Sequence, residues 1–126
     1  MIAVALLIAM QTAAPAATEI RGEWINGRRT AIIQIADCPS GLCGRVIWSA
    51  AAARRDAARG GTADLDGTLV MIGFVPSDQR WRGRLFLPDR NRTVKATITL
   101  LNSNRLQVTG CELGGLVCKS QTWDRR

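Results

Sequence analysis

The chain has 126 residues, enough for one domain with a modest core. It carries 17 Lys and Arg against 10 Asp and Glu, a net charge of +7, and it contains no His and no Tyr. The missing imidazole excludes a Ser-His-Asp triad, a Cys-His nucleophile pair and the commonest zinc ligand.

The first segment, MIAVALLIAMQTAAPAA (residues 1–17), is uncharged and apolar, then rich in Ala. It reads as a secretory signal peptide, with Ala14-Pro15-Ala16 as the small-residue cleavage motif. It lacks the usual basic residue after Met1, and its apolar run falls short of the roughly 20 residues that span a bilayer. The expected mature domain is therefore residues 18–126, placed in the periplasm or secreted.

From residue 20 onward the apolar residues alternate with period two, the strand signature. IRGEWIN (20–26) ends in the hairpin-turn pair Asn26-Gly27. RTAIIQIA (29–36) offers Ala31, Ile33 and Ile35 to one face, and LCGRVIWS (42–49) offers Leu42, Val46 and Trp48. The next segment, SAAAARRDAAR within residues 49–67, reads as a short helix with Ser49 as N-cap and Gly60-Gly61 as the stop. TLVMIGFV (68–75) is apolar on both faces, which predicts that the helix, or a second copy of the chain, covers its outer side. RWRGRLFL (80–87) puts Trp81, Gly83, Leu85 and Leu87 on one side and Arg80, Arg82 and Arg84 on the other. RTVKATITL (92–100) alternates cleanly, and NRLQVTGC (104–111) and KSQTW (119–123) supply the last two strands. About eight short strands with tight turns predict an all-β fold, a single small antiparallel up-and-down β-barrel with one short helix or long loop after the third strand.

Four cysteines in a short exported chain point to disulfides. Chain entropy favours crossed pairings, which close the longer loops. Turn geometry favours Cys38–Cys43 and Cys111–Cys118, because each pair brackets a Gly-containing reversal where facing residues lie about 5.5 Å apart. A four-thiolate zinc site is the rival reading, and an oxidising compartment disfavours it.

Several motifs form an ordered set: Gly22-x-Trp24, then Cys38 with Leu42-Cys43-Gly44-Arg45-x-x-Trp48, then Trp81-x-Gly83 and Pro88, then Gly110-Cys111 with Cys118-x-x-x-x-Trp123-x-Arg125. Together they resemble a family of small exported bacterial proteins, domain-of-unknown-function family 2147, over nearly the whole mature chain. The Ala- and Arg-rich middle departs from the Asn- and Asp-containing segment of that pattern. The resemblance implies a lipocalin- or calycin-like barrel and no known activity. It further implies a plug at one barrel end, built from Gly22, Trp24, Trp123 and Arg125, with the guanidinium of Arg125 over the Trp24 indole.

A barrel of this size holds side chains or one small ligand. The expected inward residues include Trp48, Met71, Trp81, Leu85, Ile98 and Val108, and the expected ligand-binding set is Arg45, Trp48, Met71 and Trp81. The outward row Arg80, Arg82 and Arg84 suits phosphate-bearing surfaces, or plain solvation. Asp64 and Asp66 read as turn residues, and Glu23 and Glu112 are isolated, so no catalytic set, metal site or cofactor is expected. The leading expectation is a non-enzymatic module that binds a small hydrophobic ligand or serves the cell envelope, as a monomer or weak dimer. One alternative is an interaction protein gripping lipopolysaccharide or anionic lipid through its arginines, with nucleic acid not an expected partner. The other is an inhibitor of an exported hydrolase.

Overall fold

A computed structural model describes residues 3–6 and 19–126. The leader expected over residues 1–17 lies outside the described residues, except for 3–6. The elements are β1 (Gly22–Ile25), β2 (Ala31–Cys38), β3 (Gly41–Ser49), α1 (Ala51–Gly60), β4 (Leu69–Ser77), β5 (Arg80–Leu87), β6 (Arg92–Asn102), β7 (Arg105–Glu112) and β8 (Val117–Arg125). Each strand pairs antiparallel with its sequence neighbour, and β1 pairs with β8, so the sheet closes as an up-and-down barrel. Closure leaves few free strand edges.

Up-and-down order sends alternate connections to opposite ends. The β1–β2 turn, α1, the β5–β6 turn and the β7–β8 turn share one end, here the open end. The β2–β3, β4–β5 and β6–β7 turns share the other, with residues 19–21 crossing there. The cysteine pairs bond within each hairpin, Cys38–Cys43 at the closed end and Cys111–Cys118 at the open end. Cys111 and Cys118 face each other in the register with Cα atoms 4.1 Å apart, whereas Cys38 and Cys43 are diagonal neighbours at 5.7 Å, Cys38 facing Gly41 and Cys43 facing Ala36.

The closed half of the barrel is solid. Trp24, Met71, Phe74, Trp81, Ile98 and Leu106 are fully buried there. Two glycines make room for large side chains. A Cβ on Gly83 would stand 2.6 Å from Phe74 Cδ2, and one on Gly44 would stand 2.7 Å from Met71 Sδ. The base is sealed by Arg125, whose guanidinium carbon sits 4.3 Å from the Trp24 ring centroid. The same guanidinium donates to the carbonyls of Arg21 (2.9 Å), Ser103 (2.8 Å) and Glu19. Trp24 Nε1 donates to the Ile20 carbonyl at 2.9 Å, so the indole is satisfied on its edge as well as its face.

Three expectations need correction. Trp48 does not face inward and is 44 % exposed. In the β2–β3 register Ile32 faces Trp48 but Ile33 faces Val46, so Ile47 is an extra residue in β3. That bulge inverts the alternation, turning Trp48 out and burying Ser49. Ser49 is consequently not the helix cap. Its hydroxyl donates to Asp66, and the N-cap position belongs to Ala50, which offers no side-chain hydrogen bond. The helix also does not cover the outer side of β4. Register shifts on both sides of β4 break its alternation, so Val70, Met71 and Phe74 all enter the core while Val75 stays exposed. The bulges account for the apolar run without the helix.

Instead α1 crosses the open end. Its one buried residue is Ala57. The helix stops at Gly61, whose φ of 111° is the left-handed value that suits glycine. A Cβ on Gly60 would lie 1.9 Å from the Asp89 carbonyl oxygen, so only glycine lets the helix end rest on the β5–β6 turn. Thr62 Oγ1 donates to the Pro88 carbonyl at 2.9 Å and fastens the same junction.

Candidate ligand-binding site at the open end

Above the solid half the barrel is hollow. A cavity of about 410 Å³ runs from the middle of the barrel to the open end. Its walls are the inward residues of the upper strands, Ile33, Val46, Val70, Leu85, Val94 and Val108, with Trp123 also exposed to it. Ala53 and Ala57 of α1 form part of its roof, and their short side chains keep the helix close without filling the space.

The polar groups gather at the rim. Asn26, Arg28 and Thr30 come from the β1–β2 turn, and Asp89 and Arg90 from the β5–β6 turn. The inner face of β8 contributes Gln121 and Lys119, two and four residues before Trp123, by simple strand alternation. Asn26 is spent on its own turn, accepting from the backbone N–H of Thr30 (2.7 Å) and Ala31 (2.9 Å). Gln121 accepts from Trp123 Nε1 at 2.8 Å, which holds the indole against the wall. Glu112 is neutralised by Arg90 and Arg92 at 3.6 and 3.4 Å, and Asp56 by Arg59. Among the described residues, neither Arg28 nor Lys119 makes an ion pair. The site is thus an apolar well whose lip carries two cations, Arg28 and Lys119, and one carboxylate, Asp89, outside any ion pair among the described residues.

The strand pairing is incomplete at one place. β1 meets β8 at only two register pairs, Trp24 with Arg125 and Ile25 with Asp124. Above them β8 has no strand partner on that side among the described residues, and Gly27 reaches across to Gln121 Oε1 at 3.4 Å. The strand ladder therefore lapses next to Lys119 and Gln121, where the β1–β2 turn lies against β8.

A family model described as an uncharacterized protein conserved in bacteria matches residues 22–125. The chain belongs to domain-of-unknown-function family 2147. No curated protein matches it. Among solved structures it is similar to protein HP1028 from the human pathogen Helicobacter pylori, which is described as belonging to the lipocalin family. The TM-score is 0.64 at 12 % identity, over 85 % of this chain and 82 % of that one. That likeness shows the fold, and this family member is a lipocalin-like barrel.

None of the four residues expected to bind ligand lines the cavity. Met71 and Trp81 are buried in the solid half below it, Trp48 is outside, and Arg45 is exposed with its guanidinium on the Gly67 carbonyl. Trp81 Nε1 has no hydrogen-bond partner among the described residues. The plug contains Gly22, Trp24 and Arg125. Trp123 departs from it and belongs to the cavity wall. Arg80, Arg82 and Arg84 form an exposed row on β5, with Lys95 opposite Arg84 on β6. The acidic residues gather into no metal-binding group among those described.

Proposed function

We propose that this protein is an exported carrier or sensor of a small amphipathic anion, taken tail-first into the open-end cavity. The observation that carries the proposal is the well of about 410 Å³, apolar on its walls and bordered by Arg28 and Lys119. Cavities that bind small molecules are of this size and composition, with a few convergent polar groups fixing orientation. The apolar tail gains free energy from burial against Ile33, Val94 and Val108. The head remains at the lip, where a carboxylate or phosphate meets the lysine and arginine without full desolvation. Export is supported by the two closed disulfides, which persist in oxidising compartments. Binding rather than catalysis is supported by two of the three rim carboxylates, Asp56 and Glu112, being tied to arginines, which leaves Asp89 as the single unpaired one and no free pair of carboxylates facing the well.

The test is displacement of a fluorescent apolar probe, N-phenyl-1-naphthylamine, by a series of saturated fatty acids. Displacement is expected from medium-chain acids. Val108→Trp, which fills the well, should abolish it, and Lys119→Gln should weaken it several-fold. Binding unaffected by Val108→Trp, or no displacement by any amphiphile, overturns the proposal.

A further inference from the structure

The β7–β8 hairpin projects beyond the barrel at the open end and carries the most exposed large apolar side chains of its strands. Leu113 is 73 % exposed, Leu116 86 % and Val117 44 %, all within one turn. A flexible loop would fold such residues inward. This one is held out. The Cys111–Cys118 bond closes its base, Leu113, Gly114 and Gly115 have positive φ, and Leu116 N–H bonds to the Leu113 carbonyl at 3.2 Å. Positive φ at Leu113 (52°) is strained for a branched side chain, an uncommon cost to accept for presenting a leucine to water.

The surroundings say what the tip meets. Arg90 and Arg92 flank its base, and Arg28 and Lys119 lie on the same rim, four cations against the three carboxylates Asp56, Asp89 and Glu112. An apolar tip ringed by cations fits an anionic lipid surface: the leucines enter the headgroup–acyl boundary and the cations meet phosphates. We infer that the open end docks on an anionic bilayer through Leu113, Leu116 and Val117, bringing the mouth of the well to the lipid surface. The inference goes beyond the proposed ligand function, and docking holds whether or not the well takes up a ligand.

The experiment uses the disulfide-bonded protein and flotation with large unilamellar vesicles of phosphatidylglycerol and phosphatidylethanolamine, against vesicles of phosphatidylcholine alone. The wild type should float with the anionic vesicles, less so as salt rises. Leu113→Asn with Leu116→Gln should lose about tenfold in affinity per leucine while keeping its thermal midpoint and its naphthylamine-probe binding. Leu116→Trp should show a blue-shifted added emission that brominated lipid quenches. Replacing Arg80, Arg82 and Arg84 by Gln should leave flotation within about twofold. Wild type that fails to float at low salt, a tip variant that floats normally, or loss of binding on replacing the β5 arginines overturns the inference. So does lipid-free dimerisation abolished by the tip variant, because the tip then covers a second copy.

Discussion

Replacing Arg125 by Ala should loosen the closed end without touching the open one. The guanidinium lies 4.3 Å over the Trp24 ring, a cation–π contact worth about 0.5–2 kcal/mol. It also donates to the carbonyls of Glu19, Arg21 and Ser103. Hydrogen bonds from charged donors contribute about 1.5–3 kcal/mol each when buried, but these carbonyls sit at a rim where water replaces the donor. We therefore take about a quarter of that for each bond, which with the indole contact gives a loss of about 2–4 kcal/mol. For a domain of this size each kcal/mol moves the midpoint by about 4 °C, so thermal unfolding followed by circular dichroism should fall by about 8–16 °C. Arg125→Lys keeps charge over the indole but not the forked donors, and should recover less than half of the loss. Probe binding in the open-end cavity at low temperature should be unchanged. A midpoint within about 2 °C of the wild type would refute the plug as a structural element.

Gly60→Ala places a Cβ against the Asp89 backbone and should lift the end of α1 from the β5–β6 turn. An overpacking cost of about 1–3 kcal/mol in urea unfolding, with altered probe affinity, is the expected result, and unchanged values would mean that α1 does not roof the cavity. Asp124 accepts from Arg105 at 3.0 Å and from Arg29 at 3.2 Å, and the Arg105 hydrogen bond, ahead of the nearby positive charges, holds its carboxyl below the ordinary aspartate value. A lowered folded value stabilises the protein above the unfolded value, about 3.9, and that contribution disappears as acid carries the group through its folded value. The stability gap between wild type and Asp124→Asn, measured by urea unfolding across pH, should therefore be full near neutrality and close only once acid falls below the ordinary aspartate range. A gap that stays constant into acid would contradict this.

The barrel was legible because period-two alternation is strong in β2, β5 and β6 and the turns are short. The cysteine pairs were legible because each brackets one reversal. What could not be read was local inversion. A single extra residue, Ile47, turns Trp48 from core to surface, and no residue type announces it. The same irregularity in β4 made an apolar run look two-faced. The lining of the cavity was not legible because large aromatics mark the half of the barrel that they fill, whereas a hollow is made by small and medium residues such as Ala53, Val94 and Val108. One signal for it was present. Stepping back by twos from Trp123 along β8 reaches Gln121 and Lys119, both on the inner face.

The solid floor of Trp24, Phe74 and Trp81 also works as a depth stop. Strands of about eight residues, tilted by about 40°, leave roughly 10 Å of vertical room in the half that is empty. A leaflet's acyl chain is about 15 Å long, half the hydrocarbon thickness of a bilayer. On the proposed function, a full-length lipid tail entering the well would strike bottom with about a third of its length still above the lip, so short-chain guests would be housed whole and long ones gripped only by the end.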